Sequence, residues 1–249
     1  PKLNICNISC GLGHALFLTK SGRVYSWGNG GNGRLGLGDG NDRANACQVT
    51  SLATDIIQAV QCGASHSIAL TSTGSVYSWG KNTQGQCGLG HTDENVLLPC
   101  LVTSLQTDKV NAVQIAAGWE HSAALSHDGK VYTWGSGYKD SRRGVIPPVL
   151  GLGHNEGRSS PQLISTLEEQ KIKNIACGWD HCLALSVDGC IFSWGSGQNG
   201  KLGHSSEENT AIPTIIQDLV NTKIIHISAG CEHSAAVSDT GNLFTWGHG

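Results

Sequence analysis

WGNGGNGRLGLGDG, residues 27–40, is the stretch of sequence that decides the fold. Gly28, Gly30 and Gly33 have the G-x-G-x-x-G spacing that holds a pyrophosphate when a strand precedes the glycines and a helix follows them. The residues that follow here contain too much glycine to propagate a helix. The same spacing recurs in WGSGQNGKLG at 194–203. A second copy favours a structural repeat over a nucleotide site.

Five copies of one pattern run along the chain. Each opens with His, continues through an apolar run and a glycine turn, and closes with Trp-Gly: HALFLTKSGRVYSWG, HSIALTSTGSVYSWG, HSAALSHDGKVYTWG, HCLALSVDGCIFSWG and HSAAVSDTGNLFTWG. The repeated residues are His14, His66, His121, His181 and His233, with Trp27, Trp79, Trp134, Trp194 and Trp246. Recurrence about every 52 to 60 residues indicates one supersecondary unit stacked on copies of itself.

Each copy predicts a hairpin, because an apolar run, a turn such as Asp128-Gly129 and an alternating run ending in Trp follow one another. One more strand precedes each hairpin, as in DIIQAVQCG, and another follows the glycine loop, as in CLVTSL. Four strands per period predict a blade, and the tight hairpins favour a propeller over a solenoid. We therefore expect an all-β β-propeller of five blades, each of about 52 residues. Its repeat cores are predicted at 1–40, 53–91, 108–154, 170–204 and 222–249 of a single domain, 1–249.

The motifs G-x-x-H-S-A-A-L, D-G-x-V-Y-x-W-G and N-G-x-L-G together resemble the repeat of the regulator of chromosome condensation family. The resemblance covers nearly the whole chain and implies a seven-bladed propeller. This chain has five hairpin cores and four glycine-loop arms, about two repeats fewer than the resemblance implies. Because the chain opens at Pro1 and has no methionine, we expect a piece of a longer protein, with unpaired strand edges at both ends of an open ring.

Composition excludes several classes of partner. A net charge of -3 provides no broad basic field, so there is no strong nucleic-acid signal. Neither an apolar run of about 20 residues nor a signal-peptide pattern is present, so we expect no membrane span and an intracellular location, cytoplasmic or nuclear.

Ten cysteines raise the question of disulfides or a metal site. One repeat position, which predicts a small buried residue, is shared by Cys10, Cys62, Ala117, Cys177 and Ala229. Cys182 stands where the other repeats have Ala or Ser, and no C-x-x-C pair exists. We therefore expect reduced cysteines, no metal site and no cofactor.

The five repeated His and the five repeated Trp are each found once per blade. Equivalent copies in every blade favour a structural role over catalysis or metal binding. We expect the His residues to hydrogen-bond a neighbouring loop and the Trp residues to anchor the core.

The two residues before each repeated His vary while their neighbours do not. Such positions predict an exposed turn at one rim of the ring. Binding hot spots are rich in Trp, so we predict an aromatic, acidic partner-binding rim. Its residues are Trp119, Glu120, Trp179, Asp180 and Glu232. The alternative is that both Trp residues pack on adjacent loops.

The third glycine loop is longer than the others. The resemblance implies a wedge in the corresponding repeat, which is inserted toward the nucleotide site of the small GTPase Ran. The candidate wedge contains Tyr138, Lys139, Arg142, Arg143, Pro147 and Pro148. A tolerated surface insertion is the alternative, because lengthening a loop costs little free energy.

Two functions remain open. No nucleophile, base and orienting group recur in one loop, which favours a non-enzymatic protein–protein interaction platform within a larger regulatory protein such as a ubiquitin ligase or a kinase. The alternative is guanine-nucleotide exchange on a Ran-like small GTPase, which requires no bond-making residue. A sugar-binding propeller, based only on the rim Trp residues, is a more distant third.

Overall fold

The computed structural model describes residues 3–92, 94–137 and 146–249. Within these ranges the chain forms five antiparallel sheets, in each of which the strands pair in chain order. The first sheet contains β1 (Ile5–Cys10), β2 (His14–Thr19), β3 (Val24–Gly28) and β4 (Arg43–Gln48). The second contains β5 (Ile57–Cys62), β6 (His66–Thr71), β7 (Val76–Gly80) and β8 (Val96–Leu101).

The next two sheets repeat this plan, and the last has three strands among the described residues. The third contains β9 (Ala112–Ala117), β10 (His121–Ser126), β11 (Val131–Gly135) and β12 (Arg158–Leu163). The fourth contains β13 (Ile172–Cys177), β14 (His181–Ser186), β15 (Ile191–Gly195) and β16 (Thr210–Ile215). The fifth contains β17 (Ile224–Ala229), β18 (His233–Ser238) and β19 (Leu243–Gly247).

These sheets confirm the prediction of an all-β chain with five repeats and four complete arms. The Asp128-Gly129 turn forms as predicted, with Gly129 at φ +85°, a conformation that glycine adopts without a steric penalty. Among the described residues, helical structure is confined to short connections such as α1 (Thr103–Thr107).

The core lies between consecutive sheets. One apolar cluster joins the first and second sheets through Leu16, Val60 and Trp79, and similar clusters fill the next three interfaces. Of the five repeated Trp residues, three are fully buried, namely Trp79, Trp134 and Trp194. Trp27 and Trp246 are half-buried, because each lies in a sheet at one end of the described array.

One backbone carbonyl in each glycine loop joins its sheet to the next. Arg34 O accepts hydrogen bonds from Ser67 Oγ at 2.8 Å and from Trp79 Nε1 at 3.0 Å. His14 Nε2 lies 2.9 Å from the same Ser67 Oγ. The repeated His therefore contacts a side chain on the second strand of the following sheet, and not the neighbouring loop that was predicted as its partner.

The same network recurs at the other interfaces. It contains His66, Ser122, Trp134 and Gln86 O between the second and third sheets, and His181, Ser234, Trp246 and Lys201 O between the fourth and fifth. His121, Cys182, Trp194 and Val149 O form the version between the third and fourth sheets. His233 is exposed, since no further sheet covers it in the described array.

The glycine at the Leu-Gly position of the first three glycine loops, which is Cys-Gly in the second, is required by the Trp of the next sheet. Gly36 has φ +70°, and a Cβ built there would lie 2.8 Å from Trp79 Nε1. Gly88 and Gly151 make the same close approach to Trp134 and Trp194. Gly33, the last glycine of the G-x-G-x-x-G spacing, is constrained as well, since it has φ +77° and a Cβ built there would lie 2.8 Å from Leu97 Cα on β8. The opening glycine stretch is therefore a packing element between sheets.

Candidate functional site

The turns that precede the repeated His residues converge on one central cavity of about 390 Å³. Its walls include the repeat position that holds Cys10, Cys62, Ala117, Cys177 and Ala229, and the first variable residue of each turn, namely Leu12, Ala64, Trp119, Trp179 and Cys231. The prediction that this small-residue position is buried holds only for Cys62. Cys10 is exposed, and Ala117, Cys177 and Ala229 are half-buried. Small residues are accommodated here because the innermost strands face the cavity.

Backbone hydrogen bonds connect the turns around the cavity. Trp119 N donates to Trp179 O at 3.1 Å, and Trp179 N donates to Gly230 O at 3.2 Å. A Cβ at Gly118 would lie 2.1 Å from the imidazole of His121 and 2.6 Å from a carbonyl of the next turn. Glycine is therefore required before each pair of variable residues, and the side chains of those residues are the ones that differ from turn to turn.

Trp119 and Trp179 stack on each other at the cavity wall. Their ring centroids are 3.9 Å apart and their planes are inclined by 17°. Both rings are half-buried and line the cavity. The structure therefore brings together the two aromatic residues predicted for the rim, and they pack against each other across the third and fourth sheets.

The three predicted rim acids form ion pairs with lysines of the loops. Glu120, which is only 7% exposed, lies 2.5 Å from Lys81. Asp180 and Glu232 both contact Lys201, at 2.5 Å and 2.8 Å. The prediction of an exposed acidic patch is therefore wrong for Glu120, which is buried.

These ion pairs have a physical reason. The side chain of Lys201 is fully buried, and a buried ammonium is tolerated only when it is paired and hydrogen-bonded. Sequence reasoning missed the two lysines, although their positions offered a signal. Lys81 and Lys201 lie in the glycine-loop segments of the second and fourth repeats, and each faces an acid of the following repeat's turn.

The predicted wedge is described only at its C-terminal end. Tyr138, Lys139, Arg142 and Arg143 lie outside the described residues. Pro147 is buried, and its carbonyl accepts a hydrogen bond from Val149 N at 2.9 Å. A Cβ at Gly137 would lie 2.2 Å from that same carbonyl. Pro147 and the half-buried Pro148 therefore belong to the packed base of the loop.

One group of metal-ligating side chains escaped the sequence analysis. The ligand atoms of His121, Cys177 and Cys182 all lie within 4.8 Å of one another. Cys177 and Cys182 face each other on β13 and β14, whereas His121 comes from the preceding sheet. Spacing rules could not detect this group, because the packing of two sheets brings His121 to the cysteines.

Five meandering sheets that pack side by side, with their inner turns around one cavity, define a β-propeller type of repeat domain. The chain belongs to the family of the regulator of chromosome condensation (RCC1) repeat. The family model matches residues 21–70, 73–125, 148–185 and 188–237. A second model of the same repeat matches 5–34, 57–86, 112–140 and 172–201.

Three relatives illustrate the range of proteins that carry this repeat. The ultraviolet-B receptor UVR8 of Arabidopsis thaliana is 36% identical over 244 residues, which are 98% of this chain and 53% of the receptor. The human E3 ubiquitin-protein ligase HERC2 is 36% identical over 238 residues, 94% of this chain and 5% of the ligase. The structure of Prp20p from Saccharomyces cerevisiae superposes with a TM-score of 0.74 at 28% identity, covering 96% of this chain and 58% of Prp20p.

The chain therefore spans about half the length of the plant receptor and of Prp20p, and a small part of HERC2. Among the described residues, no helix has the length and apolar character needed to cross a bilayer.

Proposed function

We propose that this chain is a protein-interaction module, without bond-making chemistry of its own, that docks a partner at the mouth of the central cavity. The observation that carries the proposal is the stacked pair of Trp119 and Trp179 on the cavity wall. Aromatic residues that are held rigidly at a concave, mostly apolar surface are typical of binding hot spots. Stacking reduces the conformational freedom that each ring would lose when a partner binds.

The relatives support this proposal. HERC2 is a ligase in which the matched repeats make up 5% of the protein, so this kind of module serves there as one part of a larger regulator. Prp20p was described together with its binding to Gsp1p and histones. For this chain we correspondingly propose that it is one module of a larger protein and binds a protein partner inside the cell.

The test uses the full chain as bait in quantitative affinity capture. Trp119→Ala combined with Trp179→Ala should reduce capture of the specific partner by about 30-fold or more, since loss of a hot spot costs about 2 kcal/mol or more. Ile212→Ala, at an exposed residue on β16, is the matched control and should capture the partner as the parent chain does. Equal capture by the folded double variant would contradict docking at this mouth.

Substitutions of the rim acids would affect the stability of the fold as well as binding. Glu120→Lys would place two ammonium groups in contact, because Lys81 already occupies the site opposite Glu120. Asp180→Lys would do the same beside the buried Lys201. Both changes should destabilise the fold, since they leave buried charges uncompensated. Loss of binding in these variants therefore does not report on the mouth.

Guanine-nucleotide exchange on a Ran-like small GTPase is the second candidate. It is favoured by the longer third glycine loop and by the similarity to Prp20p, whose binding to Gsp1p is documented with its structure. An exchange factor needs only to bind the nucleotide-free state more tightly than the nucleotide-bound state. The inserted loop would provide the differential contact.

Release of a fluorescent GDP from the GTPase tests this candidate. The full chain should accelerate release, and replacing 138–145 by a short Gly-Ser linker should abolish the acceleration. The replacement keeps Pro147 and Pro148, because Pro147 lies in the packed base of the loop. No acceleration by the folded parent chain would contradict exchange and would leave the docking proposal intact.

A further inference from the structure

His121, Cys177 and Cys182 form a compact donor group where the third and fourth sheets meet. His121 Nε2 lies 3.1 Å from Cys182 Sγ, and Cys182 Sγ lies 3.7 Å from Cys177 Sγ. His121 and Cys182 are buried, whereas Cys177 is half-buried and lines the central cavity. The group is therefore closed on the side of the core and borders the cavity on the other side.

We propose that His121, Cys177 and Cys182 bind a Zn²⁺ ion, with the fourth coordination position directed toward the central cavity. The ligands would be the imidazole Nε2 and two thiolates, a donor set that zinc uses together with an open fourth position. This inference is independent of the proposed docking function, because none of the three residues belongs to the Trp119–Trp179 pair.

The separation of the two sulfur atoms suits a tetrahedral ion. Two sulfur atoms at about 2.3 Å from one zinc ion lie about 3.8 Å apart in a tetrahedron. The observed separation of the two Sγ atoms is 3.7 Å. The separation of nitrogen and sulfur should be about 3.6 Å, so the His121 ring must withdraw by about half an ångström to admit the ion.

Charge favours zinc over the other common thiophilic ion, Cu⁺. Two thiolates, a neutral imidazole and Zn²⁺ together carry no net charge, whereas the same ligands with Cu⁺ carry one negative charge. Burial of an uncompensated charge is costly. The buried Lys201, between the fourth and fifth sheets, already pairs with Asp180 and Glu232.

Metal binding would break a hydrogen bond of Cys182 without leaving the buried acceptor unpaired. Cys182 Sγ lies 3.5 Å from Val149 O, and this contact is lost when the thiol is deprotonated. Val149 O keeps the hydrogen bond from Trp194 Nε1 at 2.8 Å, so no buried carbonyl is left without a partner.

The interface between the first and second sheets is a natural control. His14, Cys62 and Ser67 occupy the equivalent positions there, with Ser in place of the second cysteine. Burial raises the pKa of Cys62 to about 12, so its thiol stays protonated at neutral pH. The part of the chain that the structure describes therefore contains one complete donor set and one copy that lacks a single sulfur atom.

The experiment measures uptake of Zn²⁺, and of Co²⁺ as its spectroscopic substitute, by the reduced, metal-free full chain. We expect one equivalent to bind and a thiolate-to-cobalt charge-transfer band to appear. Cys182→Ser restores the His–Ser contact of the other interfaces and so should keep the fold. It should weaken Zn²⁺ binding by more than the 10- to 100-fold that loss of an outer-shell partner typically costs.

Two further variants sharpen the test. Cys231→Ser removes an exposed cysteine of the same cavity and should leave binding unchanged. Ser67→Cys completes the donor set of the first interface and should add a second equivalent of metal. That gain cannot arise from a loss of folding.

Three results would overturn the proposal. One is equal Co²⁺ uptake by the parent chain and by Cys182→Ser. Another is a site that takes Cu⁺ and excludes Zn²⁺, because the charge argument would then be wrong. The last is a disulfide between Cys177 and Cys182 in metal-free protein isolated without added oxidant, which would assign the pair to redox chemistry.

Discussion

The middle sheets and the two end sheets have the same repeat but different environments. Val131 on β11 is 0% exposed, whereas Leu243, at the same position on β19, is 68% exposed. Val60 on β5 is buried, and its counterpart Ile8 on β1 is exposed. The repeat pattern thus determines which face of a strand is apolar. Whether that face becomes core depends on the presence of a neighbouring sheet to cover it.

Replacement of a middle Trp should have the largest effect. Trp134→Ala should lower the free energy of unfolding by about 3 to 5 kcal/mol, because it empties a buried site and removes the hydrogen bond to Gln86 O. Trp27→Ala, at the half-buried copy in the first sheet, should cost clearly less. Denaturant unfolding measures both variants, and equal losses would show that the end sheets are as tightly packed as the middle ones.

Loss of a hydroxyl between sheets should have the next largest effect. Ser122→Ala leaves His66 Nε2 without its partner and removes one hydrogen bond from Gln86 O. An unsatisfied buried polar group costs about 1 to 3 kcal/mol. Ser51→Ala, which removes an exposed hydroxyl, is the control and should change stability little. Unchanged stability of Ser122→Ala would mean that the His–Ser contact does not help to hold the sheets together.

The buried His residues should make stability fall in acid. Burial lowers the pKa of His66 to about 3, below the value of about 6.5 in the unfolded chain. The unfolded chain therefore binds a proton on His66 as the pH falls below about 6.5, and the folded chain does so only near pH 3. The contribution of His66 is complete above pH 6.5 and is lost between these two values.

Unfolding measured between pH 7 and pH 4 tests this prediction. His66→Gln should reduce the slope of stability against pH by about 1.4 kcal/mol per pH unit. Equal slopes for the parent chain and for His66→Gln would mean that His66 is not held neutral in the folded chain.

The smallest effect is expected at an end sheet. Leu243→Ala should change the free energy of unfolding by about 0.5 kcal/mol or less, because the side chain is mostly exposed. Val131→Ala, at the buried equivalent, should cost about 1.5 to 3 kcal/mol. A large cost for Leu243→Ala in the full chain would show that another surface covers β19 in solution.

Much of the fold was predictable from the repeat. The spacing of His, Gly and Trp predicted the hairpins and the number of sheets, because a tight turn and an alternating run are local signals. The site was predictable only in part. Trp119 and Trp179 were selected because they vary within a constant frame, whereas the burial of Glu120 depends on Lys81 from another sheet.

The sequence by itself determined the strands, their apolar faces and the glycines that permit close approach, since these depend on local conformational preferences and periodicity. Only the tertiary structure decided which acids are buried, which Trp residues stack, and that His121 meets Cys177 and Cys182. These contacts join residues of different sheets. Their distances depend on how whole sheets pack, and local sequence patterns do not contain that information.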